Sequence, residues 1–449
     1  MAVYNIFPSA DATLYSRYPL KNTGRDPILE ISAKNSQDGL RFLYREGITQ
    51  NPYYTYDLAA NGNQDNSDAF FPDSDIRRAL LQFSPADIGK LYTFASQSIS
   101  GSWQANLKLF LASAQNLSTT YFLEAYAVSQ SWAMGTGQFA QTPESRNGVS
   151  WTYTGPAYNS TPWAETGSSY DIGYSGSQYF DYMSNKDINM EISDIVGAWF
   201  SYPTPVNFST VYAYLSTESD DILTTEAGDA LITSTIGIPN YGLVLKHPDT
   251  IEENTSSFVD LKFFSVDTHT IYPPTIEFKW DDSYYYPQGT NYVLNDQITI
   301  TLANNPGQFK RNQVYKMRTA VRYTYPPRTF STSSAYLTSL YLSENTTWAL
   351  QDVKTEEMVV DFDDNYTKLS ADSVSNYFTL YTSGLEVNRF YRILIKARIY
   401  STTYGPLSLY DNEQSIYNAL SLYGPADLAL LPAEEVIYSG QNLVFKIVE

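Results

Sequence analysis

Short segments in which apolar and polar residues alternate with a period of two constrain this chain more than any other feature. From Gln313, QVYKMRTAVRYTY puts Tyr315, Met317, Thr319, Val321 and Tyr323 on one side and Lys316, Arg318 and Arg322 on the other. Successive strand side chains point to opposite faces of a sheet, so this is the pattern of a half-buried strand. Ala105, Leu107, Leu109 and Leu111 alternate in the same way with Asn106, Lys108 and Phe110. Turn signals recur between such runs: Asn22 with Gly24, Asn147-Gly148, Asn304-Asn305-Pro306-Gly307 and Tyr325-Pro326-Pro327. Their spacing suits antiparallel sandwiches rather than βαβ units. Helical periodicity is scarce. SDIVGAWF offers Ser193 as an N-cap ahead of Ile195, Val196 and Trp199, and SIYNALSLYG near the C-terminus is a weaker candidate. The predicted class is all-β with few short helices.

Composition agrees. Of 449 residues, 43% are hydrophobic and 17% charged, enough apolar material for a folded core. The 40 Tyr and 22 Phe suit pleated surfaces, and Tyr keeps a wet hydroxyl at an edge or interface. Two readings of the tyrosines stand side by side: strand packing, or a binding surface. A net charge of −20 repels phosphate backbones and anionic lipid, so neither nucleic acid nor a membrane surface is an expected partner. The chain has no Cys, which excludes disulfides, thiolate metal sites and thiol nucleophiles. The opening MAVYNIFPSADA lacks a basic segment followed by an apolar stretch, and no run has the length of a membrane span. Assembly in a cytoplasm is the corresponding expectation.

A boundary falls at EFKWDDSYYYPQG, where a strand-like run ends at Trp280 and Asp281, Asp282, Pro287 and Gly289 read as linker. The predicted division is 1–282, 283–400 and a C-terminal extension, 401–449.

Catalytic chemistry finds little support. His247 and His269 are the only histidines, no G-x-S-x-G elbow accompanies them, and each reads as an unremarkable surface residue. Carboxylates offer three calcium candidates: Asn63, Asp65 and Ser67 at alternate positions, Glu218 with Asp220 and Asp221, and Asp361 with Asp363 and Asp364. A solvated acidic loop is the competing reading of each. With 48 acidic residues a glycosidase pair is neither excluded nor indicated. No phosphate-binding glycine loop occurs. No residue is therefore assigned to catalysis, to a cofactor or to a metal, and no cofactor is expected.

Eight pieces in order carry a resemblance across residues 4 to 280. They are Asp11-Ala12-Thr13-Leu14, Asn22-x-Gly24, Leu29-Glu30-Ile31, RRALLQF (77–83), Trp132 with GVSWTY (148–153), INMEISDIVGAWF (188–200), NYGLVLK (240–246) and FFSVDTHTIYPPTIEF (263–278). Together they resemble the DNRLRE-type, disaggregatase-related β-sandwich modules, which implies a jelly-roll-like sandwich. Long polar sequence from Tyr44 to Asp75 and tyrosine-rich sequence between Trp151 and Ile188 depart from the pattern. Asn22 and Gly24 read as an Asx turn and a positive-φ corner, with Asp11 accepting backbone N–H bonds there. In the second half, GLEVNRFYRILIKARI resembles the penultimate strand of a fibronectin type III or immunoglobulin-like domain. Leu385 lies six residues before Tyr391, and the Tyr391 hydroxyl would bond back to upstream backbone. Pro326 to Lys396 also resembles virion structural proteins of marine contractile-tail phages.

These resemblances imply a non-enzymatic structural component of a tailed-phage virion (tail, baseplate, neck or fibre attachment). It would be assembled in the host cytoplasm and pair with other virion structural proteins and with copies of itself. The alternative is a carbohydrate-binding adhesion module for host-surface polysaccharide, with Trp103, Trp163 or Tyr284 stacking on a host glycan.

Overall fold

In the computed structural model the alternation becomes burial. Met317, Thr319 and Val321 are buried while Lys316 and Arg322, on the opposite face, are exposed. The structure describes residues 2–35, 74–202, 212–214, 232–235, 237–252, 259–287, 293, 297–303, 305–325, 340–400 and 433–449. The fold is all-β, built mainly of antiparallel strand pairs with few short helices among the described residues. The candidate helix SIYNALSLYG lies outside the described residues.

Two compact units partition the chain. An N-terminal unit comprises Ile6–Tyr92 and Ala105–Ile276, and a C-terminal unit comprises Met1–Asn5, Thr93–Gln104 and Glu277–Glu449. Both edges differ from the division read from sequence. Asp281 to Pro287, read as linker, lie in the C-terminal unit, where Tyr285 forms a parallel bridge with Ala371. Nor is the chain end a mere extension. Ala433–Tyr438 and Val444–Val448 both pair with Phe390–Tyr400, and Leu443, Phe445 and Ile447 join the core of the unit.

The N-terminal unit is organised by one large sheet. Its order is Leu111–Gln115, Asp260–Phe264, Ile28–Asn35, Ser74–Phe83, Leu243–Lys246, Thr120–Val128 and Tyr170–Asp181, with Pro8–Tyr15 also paired to Ser74–Phe83. Segments far apart in sequence thus become neighbours. On one face Ala10, Ala12, Leu14, Leu80, Val128 and Val244 meet Trp132, Val149 and Trp163, all from the connection between the last two strands. That face is covered by loops, so buried backbone groups must find partners there. The Trp132 indole donates to the Tyr241 carbonyl at 2.8 Å and the Trp163 indole to that of Ser150 at 2.9 Å.

The helix Ser193–Ser201 forms where SDIVGAWF predicts it and buries Ile195, Val196, Ala198 and Trp199. Ser193 is not its cap. Its hydroxyl accepts the Ala105 N–H at 3.1 Å and donates to Glu191, tying the helix start to a neighbouring strand instead. The run from Ala105 to Leu111 also divides: Ala105, Leu107 and Leu109 are buried, whereas Leu111 opens a new strand opposite Phe263.

The C-terminal unit is a two-sheet sandwich. One sheet runs Ile298–Ala303, Val314–Tyr323, Asn376–Tyr381, Ser370–Ala371. The other runs Gln308–Lys310, Val444–Val448, Phe390–Tyr400, Thr347–Asp352, Met358–Val360, with Ala433–Tyr438 also on Phe390–Tyr400. Ile300, Leu302, Met317, Val321, Phe378 and Leu380 pack against Trp348, Leu350, Ile393, Ile395, Phe445 and Ile447. Trp348 and Phe378 stack between the sheets at 4.4 Å. Tyr391 is buried, and its hydroxyl accepts the Glu386 N–H at 2.8 Å, the corner its spacing from Leu385 predicts.

Candidate functional site

The opening corner is a structural clamp. Asn22 is fully buried, its amide donating to the Met134 and Val149 carbonyls at 2.7 and 2.9 Å while its oxygen accepts the Gly137 N–H at 2.8 Å. The bond to the Gly24 N–H, at 3.5 Å, is the weakest of the set. Gly24 does not have a positive φ. It is small because a Cβ would strike the Met134 carbonyl, and at Gly135 a Cβ would strike the Asn22 side chain. Asp11 does not serve this corner. Its carboxylate accepts the Val266 N–H at 2.8 Å, far along the chain, and its second oxygen is buried without a partner. Burial, aided by Asp267 and Asp26, pushes the Asp11 carboxyl up to about 7.

His247 is likewise no surface residue. It is completely buried, Nδ1 lies 3.2 Å from the Phe122 carbonyl oxygen, and burial pulls its pKa down to about 4. Neither ring nitrogen meets a hydroxyl or carboxylate among the described residues. His269 is exposed. Next to His247, Lys246 is buried and contacts Asp249, the Glu252 carboxylate at 3.6 Å and the Tyr170 hydroxyl at 3.1 Å. Arg78 holds Glu252 with two bonds, at 2.6 and 3.2 Å, and donates to the Gly167 carbonyl at 2.8 Å. Two cations and two carboxylates thus meet here, and Arg78 ties the loop at Gly167 to the sheet.

Two calcium candidates, at Asn63 to Ser67 and Glu218 to Asp221, lie outside the described residues. In the third, Asp363 accepts the Asn365 and Tyr366 N–H groups and faces Lys279 at 3.3 Å, while Asp364 lies 3.6 Å from Lys396. No group of three or more His, Asp or Glu side chains placed to hold a metal occurs among the described residues.

Of the three stacking candidates, Trp163 is buried and half-buried Trp103 has one ring face covered by Phe278, 5.4 Å between centroids. Tyr284 remains exposed.

Two aromatic surfaces stand out instead. In the N-terminal unit, Tyr170–Asp181 is the terminal strand of its sheet, and Phe122 pairs with Tyr179, ring centroids 5.0 Å apart, both about half exposed at 46% and 51%. In the turn beyond, Tyr182 and Met183 are 76% and 87% exposed. That turn is built to present them: the Asp181 carboxylate accepts the Met183 and Ser184 N–H groups, and Lys186 donates to the Asp181 and Ser184 carbonyls. In the C-terminal unit the second surface carries Tyr284, Tyr286 and Tyr377 beside Lys316, Arg318 and Asp372. The alternation of QVYKMRTAVRYTY places the two cations outward. The exposed strand end was hidden from sequence reading because Tyr-rich runs look the same buried or bare.

Compared with family models, curated proteins and solved structures, the chain matches none.

Proposed function

We propose that this protein is a non-enzymatic structural component of a tailed-phage virion, working by assembly with other virion proteins and with copies of itself. The observation that carries the assembly reading is the exposed apolar strip formed by Phe122 and Tyr179 on the last two strands of the large sheet and by Tyr182 and Met183 in the turn beyond. Apolar side chains held rigidly outward at a sheet edge favour contact with a second protein surface. Aromatic residues and Met are the types enriched at such interfaces. The virion setting rests on the resemblance in Pro326 to Lys396. Support for a non-enzymatic role comes from the use of Asp11, His247, Lys246 and Arg78 as packing and loop-holding groups.

Mass spectrometry of purified particles tests the setting: the chain is expected in stoichiometric amount, and particles lacking it sink the reading. The surface is tested by a Phe122→Ser, Tyr179→Ser double variant, which should fold normally and fail to enter particles. Incorporation at the wild-type level would remove the strip from consideration.

A further inference from the structure

We propose that the outward face of the four-stranded sheet in the C-terminal unit binds a saccharide chain, with Tyr284 and Tyr286 as its stacking platform. This surface is separate from the strip used for the assembly reading. Tyr284 and Tyr286 are two residues apart on an extended segment, so both rings leave it on the same side. They are 53% and 62% exposed, with centroids 6.3 Å apart and planes inclined by 35°.

The platform is rigid. Ala371 donates its N–H to the Tyr284 carbonyl at 2.8 Å and accepts the Tyr286 N–H at 2.9 Å, and the Tyr284 N–H reaches the Ser370 hydroxyl at 3.1 Å. Along the same face Ser370 stands opposite Tyr377, and Tyr377 opposite Arg318. Lys316 lies 3.5 Å from the Tyr377 ring centroid. The Asp372 carboxylate accepts Arg318 through two bonds at 2.9 and 2.6 Å, Lys316 at 3.1 Å, and the Val374 and Ser375 N–H groups. These partners, Arg318 first, hold its pKa well below the usual carboxylate range.

The chemistry of this face selects its occupant. Tyrosine rings offer apolar faces to the C–H side of a sugar while their hydroxyls stay wet. A dry protein interface laid over it would desolvate Lys316, Arg318 and Asp372 together, which costs more than their mutual attraction returns. A saccharide leaves them hydrated and replaces water with its own hydroxyls, at little loss. Nucleic acid, the other ligand of aromatic and cationic surfaces, is opposed by the net charge of −20. Ordered rings and fixed charges also reduce the entropy lost on binding.

Native affinity electrophoresis of the full chain through gels containing soluble polysaccharide tests this directly. The panel is α-glucan, β-glucan, mannan, galactan and alginate. At least one should retard the chain. Tyr286→Ala alone and the Tyr284→Ala, Tyr286→Ala pair should each weaken retardation, by about tenfold or more for the pair, with unchanged circular dichroism and melting temperature. The Phe122→Ser, Tyr179→Ser variant should be retarded like wild type. Absence of retardation by every polysaccharide, or retardation indifferent to both tyrosine changes, overturns the proposal. Neither result bears on entry into particles.

Discussion

The two units solve the same problem with different materials. In the C-terminal unit one sheet covers another, and Met317, Val321 and Phe378 meet Trp348, Ile393 and Phe445 directly. In the N-terminal unit one sheet face is covered by loops, and Asn22 and Arg78 lie at the contacts with those loops. The difference follows from hydrogen bonding: a facing sheet satisfies its own backbone, whereas a loop brings unsatisfied N–H and carbonyl groups that something must meet. Polar side chains in the first unit therefore hold the cover of a sheet face, a task the second gives mainly to its facing sheet, with buried Asn376 gripping Leu342 in addition.

The largest expected effect lies in the apolar sandwich. Trp348→Ala should destabilise the C-terminal unit by about 3–5 kcal/mol, since it leaves a cavity against Phe378. Denaturant unfolding that shows a loss under about 1 kcal/mol would break the contrast between the units. Asn22→Ala follows, at about 2–4 kcal/mol, because it strands two carbonyls and an N–H. Here the sharper readout is hydrogen exchange, with protection expected to fall at the Gly137 N–H and to persist in the C-terminal unit.

Titration probes the N-terminal unit, which holds both Asp11 and His247. Asp11 is raised to about 7 from 3.8, so the folded state holds its proton longer and stability falls as pH climbs through that window. His247 is lowered to about 4 from 6.5, so the unfolded state takes its proton first and stability falls as pH drops through that window. The two oppose each other between about pH 4 and 6.5. In Asp11→Asn, stability should rise by roughly 2–3 kcal/mol across that interval; in His247→Leu it should fall by a similar amount. Melting curves that stay parallel to wild type in both variants would contradict the burial of these groups. Smallest is Tyr391→Phe, which removes the acceptor of the Glu386 N–H and should cost about 1–2 kcal/mol. A larger loss would show that this corner carries more of the sandwich than one hydrogen bond.

Much of the fold was legible at the level of single strands. The faces of Val314–Tyr323, the helix Ser193–Ser201 and the Tyr391 corner all follow from spacing within a few residues. The candidate surfaces were only half legible. Tyr284 and the outward Lys316 and Arg318 could be named, but Tyr286, Tyr377 and Asp372 join them across three strands. The burial of His247 went unread because a lone His beside a proline carries no periodic signal.

By itself, then, the order of residues determined an all-β chain, which side of each strand turns inward, and where several turns fall, because a period of two and a tight turn are local properties of the backbone. Only the tertiary structure decided that Asn22 grips Met134 and Val149, that Asp11 reaches Val266, and that Ala433–Tyr438 and Val444–Val448 complete the C-terminal sandwich. Those choices join residues tens to hundreds of positions apart. They are made by which buried donors and apolar faces still lack a partner once the strands have paired, a quantity that exists only in three dimensions.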